Sequence, residues 1–274
     1  MARIGGAEAV LINKCVMSRE VLSACPGLRY IGVQATGYNV VDLPAARELG
    51  ITVTNIPAYS TASVAQHTVA LMLALTNKVA EHDAAVHAGR WVTSPDFCFW
   101  DAPLTELEGK TLGIIGYGQI GRRVGRIAEA MGMRVLAYGP HPNDPHMTDL
   151  DTVLYEADIL TLHCPLTAEN RGFICRDNIH RMRPGVLIVN TARGGLVNED
   201  QLCEALNCGY VRGAALDVVD TEPMRADNPL LTAPNCVITP HIAWAPMETR
   251  QRLVDISVEN LRAWLNGRPV NVVS

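Results

Sequence analysis

The chain has 274 residues, 48% of them hydrophobic, and a formal net charge of -5. That length allows one sizeable core or two modest domains, and the mild acidity without a dense Lys/Arg stripe argues against nucleic acid as a partner. No apolar run approaches the roughly 20 residues that a membrane-spanning helix needs, and eight cysteines without a Cys-x-x-Cys pair indicate neither a zinc site nor a disulfide framework, so a reducing, cytoplasmic setting with no membrane and no metal is expected.

The first part of the chain reads as an α/β pattern, with short apolar runs predicting strands at 9–12, 29–33 and 52–55 and helices at 19–24 and 43–49. A doubly wound sheet normally places its first strand near the centre, yet here a strand begins within about ten residues of Met1. Part of this sheet is therefore expected to lack a neighbour, as from a shortened start. A long helix is predicted over 61–87, where Val64, Leu71, Leu75 and Val79 recur at helical spacing. The chain then crosses to a second domain through 89–108, a stretch with Pro95, Pro103 and four aromatic residues.

Strands are predicted next at 111–115, 134–138, 158–163, 186–190, 213–218 and 236–239, alternating with helices at 120–131, 149–155, 176–182 and 199–207. Six strands joined by helices predict a parallel sheet covered on both faces, of the doubly wound α/β class. The last helix, 248–266, ends at Gly267 and is expected to pack back on the first domain. The division expected is 1–91 with 246–274 for one discontinuous domain and 92–245 for a nucleotide-binding one.

Gly116-Tyr117-Gly118-Gln119-Ile120-Gly121 follows a predicted strand and opens a predicted helix, the context that gives a glycine pattern meaning. Gly116 permits the tight turn, Gly118 lets the backbone approach a pyrophosphate, Gly121 lets helix and strand pack closely, and the helix N-terminus offers free amides. A carboxylate about 20 residues on normally accepts from the ribose hydroxyls of NAD. Here that place holds Gly139-Pro140-His141-Pro142, with neither a carboxylate to repel a 2′-phosphate nor an arginine to bind one. NAD and NADP both stay open, and His141 is either a weak phosphate contact or a solvated loop histidine. Arg193, Glu222 and His241 fall just beyond the carboxyl ends of predicted strands, where ligands of open α/β sheets bind. Hydride delivery to a ketone carbon needs a proton donor and a cation near the oxygen. His241 can supply the proton, Glu222 can favour the imidazolium and orient the ring, and Arg193 offers a planar fork for a carboxylate.

With these residues in order, the chain resembles the D-isomer-specific 2-hydroxyacid dehydrogenases. The resemblance rests on Ala35-Thr36-Gly37-Tyr38-Asn39, Ser63-Val64-Ala65-Gln66-His67, the glycine loop, Asn190-Thr191-Ala192-Arg193-Gly194-Gly195, Ala215-Leu216-Asp217-Val218, Glu222-Pro223 and Pro240-His241-Ile242-Ala243. It implies a Rossmann nucleotide-binding domain and a flavodoxin-like substrate domain that lacks N-terminal strands. It also implies reduction of a small 2-oxo acid to the D-2-hydroxy acid, with hydroxypyruvate or glyoxylate favoured. Arg193 then anchors the substrate carboxylate and carbonyl, and Glu222 and His241 form the proton-transfer pair. The presence of Glu222, where related formate dehydrogenases carry Gln, favours a hydroxy-acid reaction. By the same matching Asp217 holds the nicotinamide carboxamide, Val64 lines its pocket, and the backbone of Thr36 and Gly37 grips the carboxylate. Gln119, Ile120, Cys164, Pro165, Thr191 and Ala192 are the further cofactor contacts implied. The family implies a homodimer too, with Phe97, Phe99 and Trp100 either at that contact or filling the hinge between domains. Two other readings stay open: an NAD(H)-responsive corepressor-like binding protein, and a truncated inactive homologue.

Overall fold

The computed structural model describes residues 4–140 and 143–274. Its elements run β1 (Ala9–Ile12), α1 (Arg19–Ser23), β2 (Tyr30–Val33), α2 (Leu43–Glu48), β3 (Thr52–Thr54), α3 (Thr61–Asn77), α4 (Val79–His87), β4 (Thr111–Ile115), α5 (Gln119–Ala130), β5 (Arg134–Tyr138), α6 (Leu150–Glu156), β6 (Ile159–Leu162), α7 (Arg176–Arg181), β7 (Val186–Asn190), α8 (Glu199–Asn207), β8 (Val211–Leu216), β9 (Cys236–Ile238) and α9 (Met247–Leu265). They form two compact units, Met1–Ser60 with Trp244–Ser274, and Thr61–Ala243.

In the first unit β1, β2 and β3 make a parallel sheet in that order. Ser18 and Asp42 start α1 and α2 by accepting from the amides of Val21 and Ala45, the role for which short polar side chains are favoured at helix starts. β2 is buried throughout, whereas Leu11 of edge strand β1 is exposed. α9 closes this unit. Its Trp264 ring lies 4.9 Å from that of Tyr30, and buried Asn260 donates to the Asn55 carbonyl (2.9 Å) while accepting from Asn271 (2.8 Å).

The second unit holds a six-stranded parallel sheet, ordered β5-β4-β6-β7-β8-β9. β4 and β7 are buried at every position, as continuous apolar strands are when helices cover both faces. Alternate strand residues point to opposite sides. Leu112, Ile114 and Val189 pack with residues of α3 and α5, and Leu160, Ile188 and Leu216 with residues of α6, α7 and α8. From β4 the chain goes outward to β5 and then returns past β4 to β6, so the strand order reverses there. That crevice is where open α/β sheets bind ligands.

The single helix expected over 61–87 is two. Lys78 takes a left-handed conformation (φ 50°) and separates α3 from α4. Val64, Leu71 and Leu75 are buried, but Val79 is 67% exposed and α4 buries nothing, so the apolar spacing that ran through 79 does not mark one continuous face. Because α3 packs on the six-stranded sheet, the first unit ends at Ser60, where the sequence division had placed 61–91 with the first domain. The second division falls at Ala243. Among the described residues no helix is long and apolar enough to cross a membrane, and no group of three His, Cys, Asp or Glu residues is placed to hold a metal ion.

Candidate active site

Between β4 and α5 the glycine loop is shaped by contacts that side chains would break. Gly116 has φ 96°, and a Cβ on it would stand 2.5 Å from the Cys164 amide nitrogen. A Cβ on Gly121 would overlap the Gly116 carbonyl oxygen, which holds α5 tight against the turn. Gly118, the residue that caps α5, has open space where its Cβ would be. Among the described residues no atom requires glycine there. The loop instead leaves room beside the first amides of Gln119 and Ile120, a cradle that fits the pyrophosphate of a dinucleotide.

The neighbouring loops supply further walls. Cys164 and Pro165 follow β6 and its next residue His163; burial pushes the Cys164 thiol up, and the Pro165 carbonyl accepts from Asn170 (2.8 Å). At the end of β5, Gly139 lies against the loop: a Cβ on it would meet the Tyr117 amide nitrogen at 3.2 Å. His141 and Pro142 lie outside the described residues.

The three residues proposed for chemistry follow three adjacent strands, β7, β8 and β9. Buried Asn190, the last residue of β7, braces the turn after it by accepting from the Ala192 amide (2.9 Å) and donating to the Arg193 carbonyl (2.9 Å). The Arg193 side chain is exposed and donates to the Ala192 carbonyl (2.7 Å). A Cβ on Gly194 would overlap the backbone of Val219, so glycine brings this turn against the loop that carries Glu222. Glu222, whose peptide bond to Pro223 is cis, accepts through Oε2 from His241 Nδ1 at 2.7 Å, both side chains being 30% exposed. With Nδ1 engaged, Nε2 is the ring atom left for a substrate.

Asp217, next after β8, is 1% exposed. Burial alone would raise its pKa, but donation from His67, from the Thr239 hydroxyl and from the amides of Ile242 and Ala243 holds its carboxyl below the usual range. It thereby secures the turn that presents His241. Thr191 shares a hydroxyl contact with Thr68 of α3 (2.9 Å), and Val64 is buried on the same helix. In the other unit Thr36 and Gly37 follow β2. There the Thr36 hydroxyl donates to the Ile56 carbonyl (2.9 Å), and the Thr36 carbonyl accepts from Asn55 (2.8 Å). His67 was given no role by its sequence. The available signal was a histidine within a helix whose neighbours Val64, Ala65 and Thr68 are buried.

A glycine loop at the switch point, with a histidine and carboxylate joined on the later strands of the same sheet, is the equipment of a dinucleotide-dependent oxidoreductase. Residues 69–243 match the family described as D-isomer specific 2-hydroxyacid dehydrogenase, NAD binding domain. Over its whole length the chain is 52% identical to a hydroxypyruvate reductase of Blautia hydrogenotrophica, covering 87% of that protein. It is 44% identical to a glycerate dehydrogenase of Methylorubrum extorquens over 99% of this chain and 87% of the other. It also superimposes on the D-lactate dehydrogenase of Aquifex aeolicus complexed with NAD and lactic acid, with a TM-score of 0.86 and 31% identity over 100% of this chain and 89% of that one. The chain belongs to the D-isomer-specific 2-hydroxyacid dehydrogenase family and is an NAD-binding oxidoreductase.

Proposed function

We propose that the protein reduces hydroxypyruvate or glyoxylate to the corresponding 2-hydroxy acid, D-glycerate in the first case, and that Arg193, Glu222 and His241 carry the reaction. The observation that carries this reading is the 2.7 Å bond between His241 Nδ1 and Glu222 Oε2 on the cofactor sheet. The names of its relatives, hydroxypyruvate reductase and glycerate dehydrogenase, support the substrate class.

Gly116, Gly118 and Gly121 would hold the pyrophosphate against the amides of Gln119 and Ile120. Cys164, Pro165, Thr191, Ala192, Val64 and Asp217 would line the rest of the dinucleotide site. The reduced nicotinamide, when bound, supplies the hydride. Arg193 pairs with the substrate carboxylate and polarises the carbonyl, helped by the backbone of Thr36 and Gly37. His241, as imidazolium, donates its Nε2 proton to the carbonyl oxygen as negative charge develops there, while Glu222 accepts from Nδ1 and stabilises the charged ring. In the oxidative direction the neutral ring takes the proton back. With glycine at 139 instead of a carboxylate, NADPH is accepted alongside NADH. The setting proposed is the cytoplasm, where thiols such as the exposed Cys15 and Cys208 persist.

The active form we infer is a homodimer joined through 89–104, where Trp91, Phe97 and Trp100 are exposed. Phe99 instead lies under the Arg90 guanidinium, 4.3 Å from its carbon to the ring centroid. Sedimentation of the Phe97→Ser, Trp100→Ser double variant as a monomer would support that contact, and an unchanged dimer would move it elsewhere.

The direct test follows loss of reduced-nicotinamide absorbance with NADH or NADPH and hydroxypyruvate, glyoxylate or pyruvate. Saturable turnover that vanishes in His241→Ala supports the assignment. A folded, nucleotide-binding protein that reduces none of these acids defeats it.

A further inference from the structure

The left-handed backbone of His241 (φ 55°) is a conformation that is costly for a non-glycine residue. Such a residue persists only where its surroundings over-determine it. Here the surroundings are the buried Asp217 carboxylate, which binds the two amides immediately after His241 (Ile242 and Ala243, each 2.9 Å) and the hydroxyl two residues before it (Thr239, 2.6 Å). All three of these donors belong to the turn itself. They fold the turn around Asp217 but do not tie it to the rest of the sheet's helical cover.

The tie comes from α3. His67 Nε2 lies 3.0 Å from Thr239 Oγ1 and 3.3 Å from Asp217 Oδ1, with the His67 side chain 19% exposed. Since the Thr239 hydroxyl gives its proton to Asp217, its oxygen can only accept from His67, and Asp217 accepts as well. Nε2 must therefore carry a hydrogen, shared between the two oxygens. The next residue, Thr68, meets Thr191 in the turn that carries Arg193. Two consecutive side chains of one helix thus index the acid/base turn and the carboxylate-binding turn to each other.

We infer that His67 is a positioning residue for proton transfer, its Nε2–H clamping Thr239 and Asp217 so that His241 faces the substrate in a fixed orientation. This rests on the reading of His241 as the proton donor. The test compares His67→Gln, whose side-chain amide can reproduce the Nε2 donor, with His67→Met, which fills space without donating. His67→Met should lower kcat about 10- to 100-fold, the scale on which small misplacement acts, while the Kd for NADH stays within about twofold. His67→Gln should recover most of the loss. Independently of turnover, hydrogen exchange at the amides of Ile242 and Ala243 should quicken in His67→Met and return toward wild type in His67→Gln. If His67→Met does not fold, Thr239→Val, which removes one of the two acceptors of the His67 Nε2–H together with the Thr239–Asp217 bond, should likewise lower kcat and quicken exchange at Ile242 and Ala243, and no change in either overturns the inference.

Normal kcat in His67→Met, or equal loss in both His67 variants, overturns the inference. So does unchanged exchange at Ile242 and Ala243. If the wild-type protein reduces no oxo acid, the reaction assigned above fails, whereas the exchange experiment still decides whether His67 fixes the turn.

Discussion

At the scale of single residues, the imidazole of His241 has one nitrogen assigned to Glu222 and one left over, and this division of labour makes the site directional. His241→Ala should lower kcat by about 100- to 10,000-fold, the usual worth of a general acid, with NADH affinity retained in a binding titration. Gly139 offers a second test. An aspartate there would accept from the ribose hydroxyls and should shift catalytic efficiency toward NADH by about tenfold, as one hydrogen bond of about 1.4 kcal/mol would. Steady-state kinetics with both cofactors measure this. The Tyr117 amide at 3.2 Å from the new Cβ means the loop must yield by a few tenths of an ångström for the aspartate to fit.

At the scale of elements, what sequence reveals depends on whether the cause is local. The strands Thr111–Ile115 and Val186–Asn190 were legible to the residue, because burial on both faces leaves nearly unbroken apolar runs bounded by turns, and edge strand Arg134–Tyr138 was legible from its short apolar centre, Val135–Ala137. The glycine loop was legible because its residues sit between a strand and a helix. The break at Lys78 was not, since a lysine carries no mark of a left-handed turn. Gly194 was read as part of a motif, while its reason, the Val219 backbone, lies 25 residues away and exists only in the fold. His67 was likewise read only as part of a motif, its partners Thr239 and Asp217 being brought to it by the ends of two other elements, β9 and β8. Packing of α9 is testable on its own terms. Asn260→Ala leaves the buried Asn55 carbonyl and the Asn271 amide without their partner, and should destabilise the first unit by about 1–3 kcal/mol, read from the urea midpoint.

For the whole molecule, pH enters through groups whose protonation the fold opposes. Burial lowers His163 from 6.5 to about 4, and both its ring nitrogens are inaccessible and lack a hydrogen-bond partner among the described residues. Between those values the unfolded chain binds a proton that the folded one refuses, so stability falls as pH drops from 6.5 and levels off near 4. The linked loss is about 3 kcal/mol. Asp217 acts further down the scale, its contribution being present above the ordinary aspartate range and lost only as pH falls through its depressed folded value. His163→Leu should flatten the dependence of the unfolding midpoint between pH 6.5 and 4, leaving the more acidic limb in place.

The first unit is assembled from two separated stretches, with the second unit inserted between them. On the ribosome the three strands of the small sheet therefore emerge early but wait. Their closing contacts, Trp264 on Tyr30 and Asn260 on the Asn55 carbonyl, come from residues translated only after all of Thr61–Ala243. The dinucleotide-binding unit is contiguous and clears the ribosome ahead of those residues, so it can complete its own core first, since domains generally fold as units during synthesis. The order of birth is thus cofactor unit first and small unit last, although the small unit's sheet is made first.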